Sequence, residues 1–230
     1  RIMTAEEQVT WNAAYDSALL YLDGELGRVL DALQRHPRFD ETLVVITSDH
    51  GEAFGEHGLF RHSTALYDEM LAVPLFLKPG ARRPAGFLAG RSLPGPFQPV
   101  DLFPTLLDHA GLPVPAGLDG YAWGGGRRAV FAESYPHPPV ASLGARFRRE
   151  LRAVEQDGWK LIVSSAGEVE LYDLVHDPGE TRNVAAAYPG RAAEMGRLLG
   201  EKAMSGTPAR PGGRESDELV KALRSLGYVP

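Results

Sequence analysis

Leu43, Val44, Val45 and Ile46 form an unbroken apolar, mostly β-branched run, and they constrain the fold more than any other stretch. A run of this length without polar alternation reads as a parallel strand covered on both faces. Asp49-His50-Gly51 follows directly, where that strand should end. Polar groups at the carboxyl ends of such strands are where open α/β sheets hold their ligands. Glu52, Glu56, His57 and His62 come next, so most metal-capable side chains of the region fall in one turn and loop.

The surrounding chain supports an α/β reading. From Ala5 to Leu33, Val9, Ala13, Leu19, Leu20, Leu22, Leu26, Val29, Leu30 and Leu33 recur at helical spacing, and Pro37 ends the pattern. A helix leading into a parallel strand is half of a βαβ unit, whose first strand does not precede it here. The stretch from Gly51 to His62 reads as a Gly-rich loop, Thr64 to Met70 as a short helix, and Val73 to Lys78 as a second buried strand. Residues 81–97 and 112–128 read as loops around a short helix, Pro99 to Gly111, with Asp101 to cap it and Gly111 to stop it.

Beyond residue 128 the pattern changes. Ala129–Ala132, Leu151–Val154, Trp159–Val163 and Val169–Tyr172 are short strands separated by turn signals at Asp157-Gly158 and Ala166-Gly167, which predicts an antiparallel meander. A helix over Ala192 to Met204 should pack on it, with Trp159, Leu171 and Tyr172 in the core between them, and Glu215 to Leu226 reads as a terminal helix. The expected division is therefore 1–128 and 129–230.

The totals exclude several classes. With 230 residues the chain is long enough for a sizeable core, and its net charge of −6 with interspersed signs offers no footprint for nucleic acid. Its longest apolar runs are strand-length, so no membrane span is expected. Without cysteine there is no disulfide, thiolate metal site or cysteine nucleophile. The chain starts at Arg1 with no signal-peptide progression, so either a leader has been removed or more sequence is missing.

Taken alone, Asp49-His50 admits two readings: a turn cap with a packed histidine, or two ligands from one rigid support. The second suits calcium or magnesium through oxygen and zinc or manganese through nitrogen. His62 and His57 have equally plain readings as loop and supporting residues. Asp101, His109, Asp173 and Asp177 sit where helices are capped or turns closed, and His137 lies in a Pro-flanked loop.

The motif series resembles the sulfatase family, within the alkaline phosphatase-like superfamily. It runs through T-S-D-H-G-E at Thr47 to Glu52, G-E-H-G at Gly55 to Gly58 and L-Y-D-E-M-L-A-V-P-L at Leu66 to Leu75. V-D-L-F-P-T-L-L-D-H-A-G-L-P at Val100 to Pro113, G-W-K-L-I at Gly158 to Ile162, and E-L-Y-D-L-V-H-D-P-G-E-T-R-N-V at Glu170 to Val184 continue it. The resemblance implies that Asp49 and His50 ligate a divalent cation, calcium first, with magnesium, manganese or zinc as alternatives. It also implies a formylglycine nucleophile made from a C/S-x-P-x-R motif, and an acidic ligand pair, both in the family's N-terminal half. That motif does not occur in these 230 residues, so the expectation is the C-terminal part of a sulfatase-like enzyme.

Many family members carry a Lys about a dozen residues after the metal pair, contacting the sulfate and the leaving-group oxygen. His62 stands there, which makes it the expected catalytic and substrate-binding residue, with Arg61 a second candidate for the anionic group. The implied architecture is an alkaline phosphatase-like α/β sandwich, partial because its N-terminal strands are absent, with a small C-terminal antiparallel sheet plus helix. The implied substrate is a small-molecule or glycan sulfate ester. Rival readings are a phosphodiester or phosphonate hydrolase or a phosphoethanolamine-type transferase of the same superfamily, and a non-catalytic remnant. Oligomeric state and compartment stay open, periplasmic and secreted locations included.

Overall fold

The computed structural model describes residues 4–81, 97–122, 129–136, 141–142 and 144–205. By contact the chain divides into two compact units, Arg1–Leu199 and Gly200–Pro230, and the second is described only where it ends a helix. The loop expected around residues 82–96, the terminal helix at Glu215 to Leu226 and His137 lie outside the described residues.

Helix α1 runs Ala5–Gln34. Its start is a capping box in which the Thr4 hydroxyl accepts from the Glu7 backbone N–H and Glu7 accepts from that of Thr4. None of its residues is buried, and Leu20 and Tyr21 are 75% and 72% exposed. Its first turns reach Phe54 twice: the Gln8 amide donates to the Phe54 carbonyl at 2.6 Å, and Tyr15 meets the Phe54 ring edge-on at 4.7 Å.

Strands β1 (Val44–Thr47) and β4 (Leu75–Lys78) pair with each other, Val44 opposite Lys78 and Thr47 opposite Leu75. The pairing is antiparallel, which corrects the expected parallel, doubly covered strand. Both strands are only half-buried, and Phe76 is 64% exposed. An apolar run records which side chains avoid water and carries no direction of pairing; a parallel return needs a long crossover, usually helical. Here β2 (Ala53–Phe54), β3 (Phe60–Arg61) and the single-turn α2 (Asp68–Leu71) intervene instead. The Lys78 ammonium clamps the pair at its far end, donating to the carbonyls of Phe39 (2.8 Å), Thr42 (3.0 Å) and Pro79 (3.2 Å).

The expected loop from Gly51 to His62 contains the β2–β3 hairpin, with Ala53 opposite Arg61 and Phe54 opposite Phe60. The expected helix from Thr64 is also shorter, starting at Asp68. Its cap comes from far along the chain: the Asp68 N–H donates to a Glu180 carboxylate oxygen at 2.6 Å. Helix α3 (Leu102–Ala110) starts later than the expected Pro99, after a 3-10 turn over Pro99–Asp101, and Asp101 makes no side-chain cap bond to it; the expected stop holds, with Gly111 in the left-handed region at φ 73°. Asp101 is buried before it and accepts from the backbone N–H groups of Gln98 (2.9 Å) and Tyr121 (2.8 Å), tying two loops together.

The meander is present as an antiparallel sheet of β5 (Val130–Ser134), β6 (Leu151–Gln156), β7 (Trp159–Ser164) and β8 (Val169–Asp173) in sequential order. The β6–β7 turn places Asp157 and Gly158 both at positive φ, 52° and 77°, as a two-residue hairpin requires. Strand alternation then sorts the side chains onto two faces. Val154, Leu161 and Leu171 face helix α4 (Pro189–Ser205) and enclose Met195, which is fully buried. Leu151, Ala153, Ile162 and Tyr172 pack on the other face against Leu66, Tyr67 and Leu71. Tyr172 therefore leaves the helix-side core expected for it, because its neighbour Leu171 occupies that face.

Buried polar groups join this second face to α2. The Lys160 ammonium, on a residue 1% exposed, lies 2.7 Å from the Asp68 carboxylate and 2.8 Å from that of Glu180. Burial pushes the Glu180 carboxyl above its ordinary range, although Lys160 pulls the other way. Tyr67 and Tyr172 both donate to Glu170 Oε2 at 2.8 Å. Burial first, then that carboxylate, push the Tyr67 phenol up to about 12.

Candidate functional site

Beyond Thr47, the last residue of β1, local hydrogen bonds shape the chain. The Ser48 hydroxyl donates to the His50 carbonyl at 2.8 Å, and the His50 N–H donates to Asp49 Oδ1 at 3.0 Å. Gly51 donates its N–H to the Met70 carbonyl at 2.9 Å. A Cβ at that position would collide with the Glu69 carbonyl oxygen, so only glycine lets the strand end approach α2 this closely.

His50 Nδ1 lies 2.8 Å from the Gly51 carbonyl oxygen. A carbonyl can only accept, so this contact assigns the ring proton to Nδ1 and leaves Nε2 as a lone-pair donor. That Nε2 is 3.8 Å from Asp49 Oδ1, and the two side chains are 38% and 60% exposed. Two donors at this separation can both reach one cation through bonds of about 2.0–2.6 Å, and the backbone carbonyl behind the imidazole fixes its orientation. The pair fits a divalent cation. Among the described residues no three His, Cys, Asp or Glu side chains are grouped so as to hold a metal by themselves.

His62 joins this pair. Its ring stacks on that of His50, with centroids 4.0 Å apart and planes 26° from parallel. His62 Nδ1 lies 3.1 Å from Glu52 Oε2. Arg61 points elsewhere: its guanidinium lies over the Trp11 ring of α1, 5.0 Å from the centroid. His57 belongs to a different group, stacked on Tyr67 at 3.7 Å with Nε2 3.3 Å from Glu69 Oε1. Glu56 closes its own turn by accepting from the Phe54 N–H at 2.6 Å.

Of the dense acid and imidazole cluster seen in the sequence, the structure thus gathers Asp49, His50, Glu52 and His62. Glu52 was not singled out from sequence as a partner of His62. The signal was the hairpin register, which brings residues ten apart face to face and is invisible while the segment is read as loop. His109 accepts from the Gly80 N–H at 3.1 Å, and Asp173 and Asp177 accept backbone N–H groups in their own turns. Backbone bonds from Arg182 and Thr181 hold the Asp177 carboxyl below its usual range.

An α/β scaffold with an Asp-His pair at a strand end, and a meander carrying the later motifs, agrees with comparison to known proteins. The sulfatase family model matches residues 7–112 of the chain. It is similar to arylsulfatase K of Bos taurus, 31% identical over 85% of this chain and 37% of that protein. It is also similar to the N-acetylglucosamine-6-O-sulfatase of Bacteroides thetaiotaomicron, 30% identical over 81% of this chain and 34% of that protein. A solved phosphonate monoester hydrolase of Agrobacterium radiobacter superposes with a TM-score of 0.73 at 29% identity, covering 87% of this chain and 43% of that one. The chain spans little more than a third of the length of these two curated relatives.

Proposed function

We propose that these residues form the C-terminal part of a metal-dependent sulfuric ester hydrolase of alkaline phosphatase-like fold, carrying part of its active site. In this reading residues 1–128 complete the α/β core and 129–230 form the appended antiparallel-sheet subdomain. The observation that carries it is the convergence of Asp49, His50 and His62: a two-donor pair with its donors 3.8 Å apart and a second imidazole stacked 4.0 Å away. Asp49 and His50 would hold a divalent cation, calcium by preference for the carboxylate, and the ion supplies charge neutralisation on the ester when bound.

His62, with its Nδ1 side toward Glu52, has Nε2 left, and in the imidazolium form that Nε2–H donates to the ester's leaving oxygen. Arg61, held over Trp11, is a secondary candidate for contact with the anionic group. The nucleophile, a formylglycine, is assigned to the part of the protein that precedes this chain. A glycan sulfate ester is the favoured substrate class, supported by the activity for which the N-acetylglucosamine-6-O-sulfatase relative is named.

Aryl sulfates and matched phosphate esters, assayed on the complete protein with and without a chelator, test this. Cation-dependent turnover of the sulfate ester is expected, and turnover of phosphorus substrates alone would overturn it. A phosphonate or phosphodiester hydrolase is the second reading, supported by the likeness to the phosphonate monoester hydrolase. Its signature would be that phosphorus-only outcome.

A further inference from the structure

We infer that Glu52 is a positioning residue for His62, fixing its ring so that Nε2 faces the substrate; this rests on the reading of His62 as the group that meets the leaving oxygen. The hairpin dictates the meeting. Ala53 pairs with Arg61, so the next residues outward, Glu52 and His62, stand opposite each other at the open end of the β2–β3 ladder. Their side chains complete that step, with Glu52 Oε2 3.1 Å from His62 Nδ1.

The two partners differ in exposure as a support and a working group should. The Glu52 side chain is 11% exposed and that of His62 44%. The second Glu52 oxygen, Oε1, is buried with no hydrogen-bond partner among the described residues. Withdrawing a carboxylate from water to serve a single imidazole costs free energy, which the surrounding fold has to offset. The backbone carries a cost of its own. Arg61 and Ser63, on either side of His62, both sit in the left-handed region at φ 67° and 65°. Non-glycine residues are strained there, and such conformations persist where surrounding structure over-determines them. The chain is bent around His62 from both sides, and Glu52 holds the ring that the bend presents.

The carboxylate can only accept, so the contact assigns the His62 proton to Nδ1. His50 and His62 then have the same tautomer, each held at Nδ1 by an oxygen: the Gly51 carbonyl for one, Glu52 for the other. In His50 this leaves Nε2 as a lone pair for a cation; in His62 it leaves Nε2 as the nitrogen that donates to the leaving oxygen in the imidazolium, while Glu52 still accepts from Nδ1–H.

Two experiments test this. Long-range proton–nitrogen spectra of this chain, recorded where the ring is neutral, should show His62 protonated at Nδ1, retained in Glu52→Gln and lost in Glu52→Ala. A His62 protonated at Nε2, or one unaffected by Glu52→Ala, would overturn the inference whatever the protein hydrolyses. In the complete protein, Glu52→Ala should lower kcat about 10²-fold with little change in KM. The loss should be larger for esters of poorly acidic alcohols than for nitrophenyl sulfate, and Glu52→Gln should restore most of it. In a His62→Ala background Glu52→Ala should add nothing. Equal losses on all leaving groups, or additive losses, would show a structural role only. If wild type turns over no sulfate ester, the proposed function falls while the spectra still decide the Glu52–His62 contact.

Discussion

His50 and His62 illustrate how single side chains acquire chemistry from their supports. Each ring has one nitrogen engaged by an oxygen, so each has a defined tautomer and one free nitrogen. The same logic governs Asp177, whose carboxylate accepts from the Thr181 and Arg182 N–H groups at 3.1 and 2.8 Å. Those bonds favour its charged form and lower its pKa from 3.8. The stabilisation is therefore complete above pH 3.8 and is lost as pH falls through the folded value. Asp177→Asn should be less stable than wild type at neutral pH, with the gap in urea midpoints closing under acid. A gap independent of pH would refute this assignment.

Among the elements, the short ones depend on partners and the meander on its own pattern. Strands β5 to β8 have alternating faces and turn residues suited to positive φ, so their order was legible from sequence. The single-turn α2 was not, because its start is set by Glu180, 112 positions away. The β2–β3 hairpin was missed for a related reason: two-residue strands have no periodicity to read. Met195 is the anchor of α4 on the sheet, fully buried among Val154, Leu161 and Leu171. Met195→Ala should cost about 2–5 kcal/mol in urea unfolding. A cost below about 1 kcal/mol would mean that the helix does not depend on this contact.

Within the larger unit, the meander and the segment carrying α2 are joined by charge as well as by packing. Lys160, on β7, reaches both Asp68 and Glu180 from a fully buried position. Removing one partner of a buried ion cluster leaves the others uncompensated, so Lys160→Met should destabilise by about 3–5 kcal/mol. Adding Glu180→Gln to that variant should recover part of the loss, measured by thermal unfolding. No recovery would show that Glu180 matters only as the cap of α2. No helix among the described residues is long and apolar enough to cross a membrane.

Local chemistry was sufficient for the residues that work through their neighbours in the chain. The Asp49-His50 pair, the glycine after it, the Gly111 helix stop and the four-strand meander follow from side-chain type, spacing and turn geometry, which are properties of short segments. The family motifs are likewise written in consecutive residues. Tertiary structure decided the antiparallel pairing of β1 with β4, the side of the sheet that Tyr172 faces, and the meeting of Glu52 with His62. Each of these is a contact between segments that are apolar or polar in the same way whichever partner they find. Hydrophobicity specifies that a side chain avoids water; only the packed chain specifies what it meets instead.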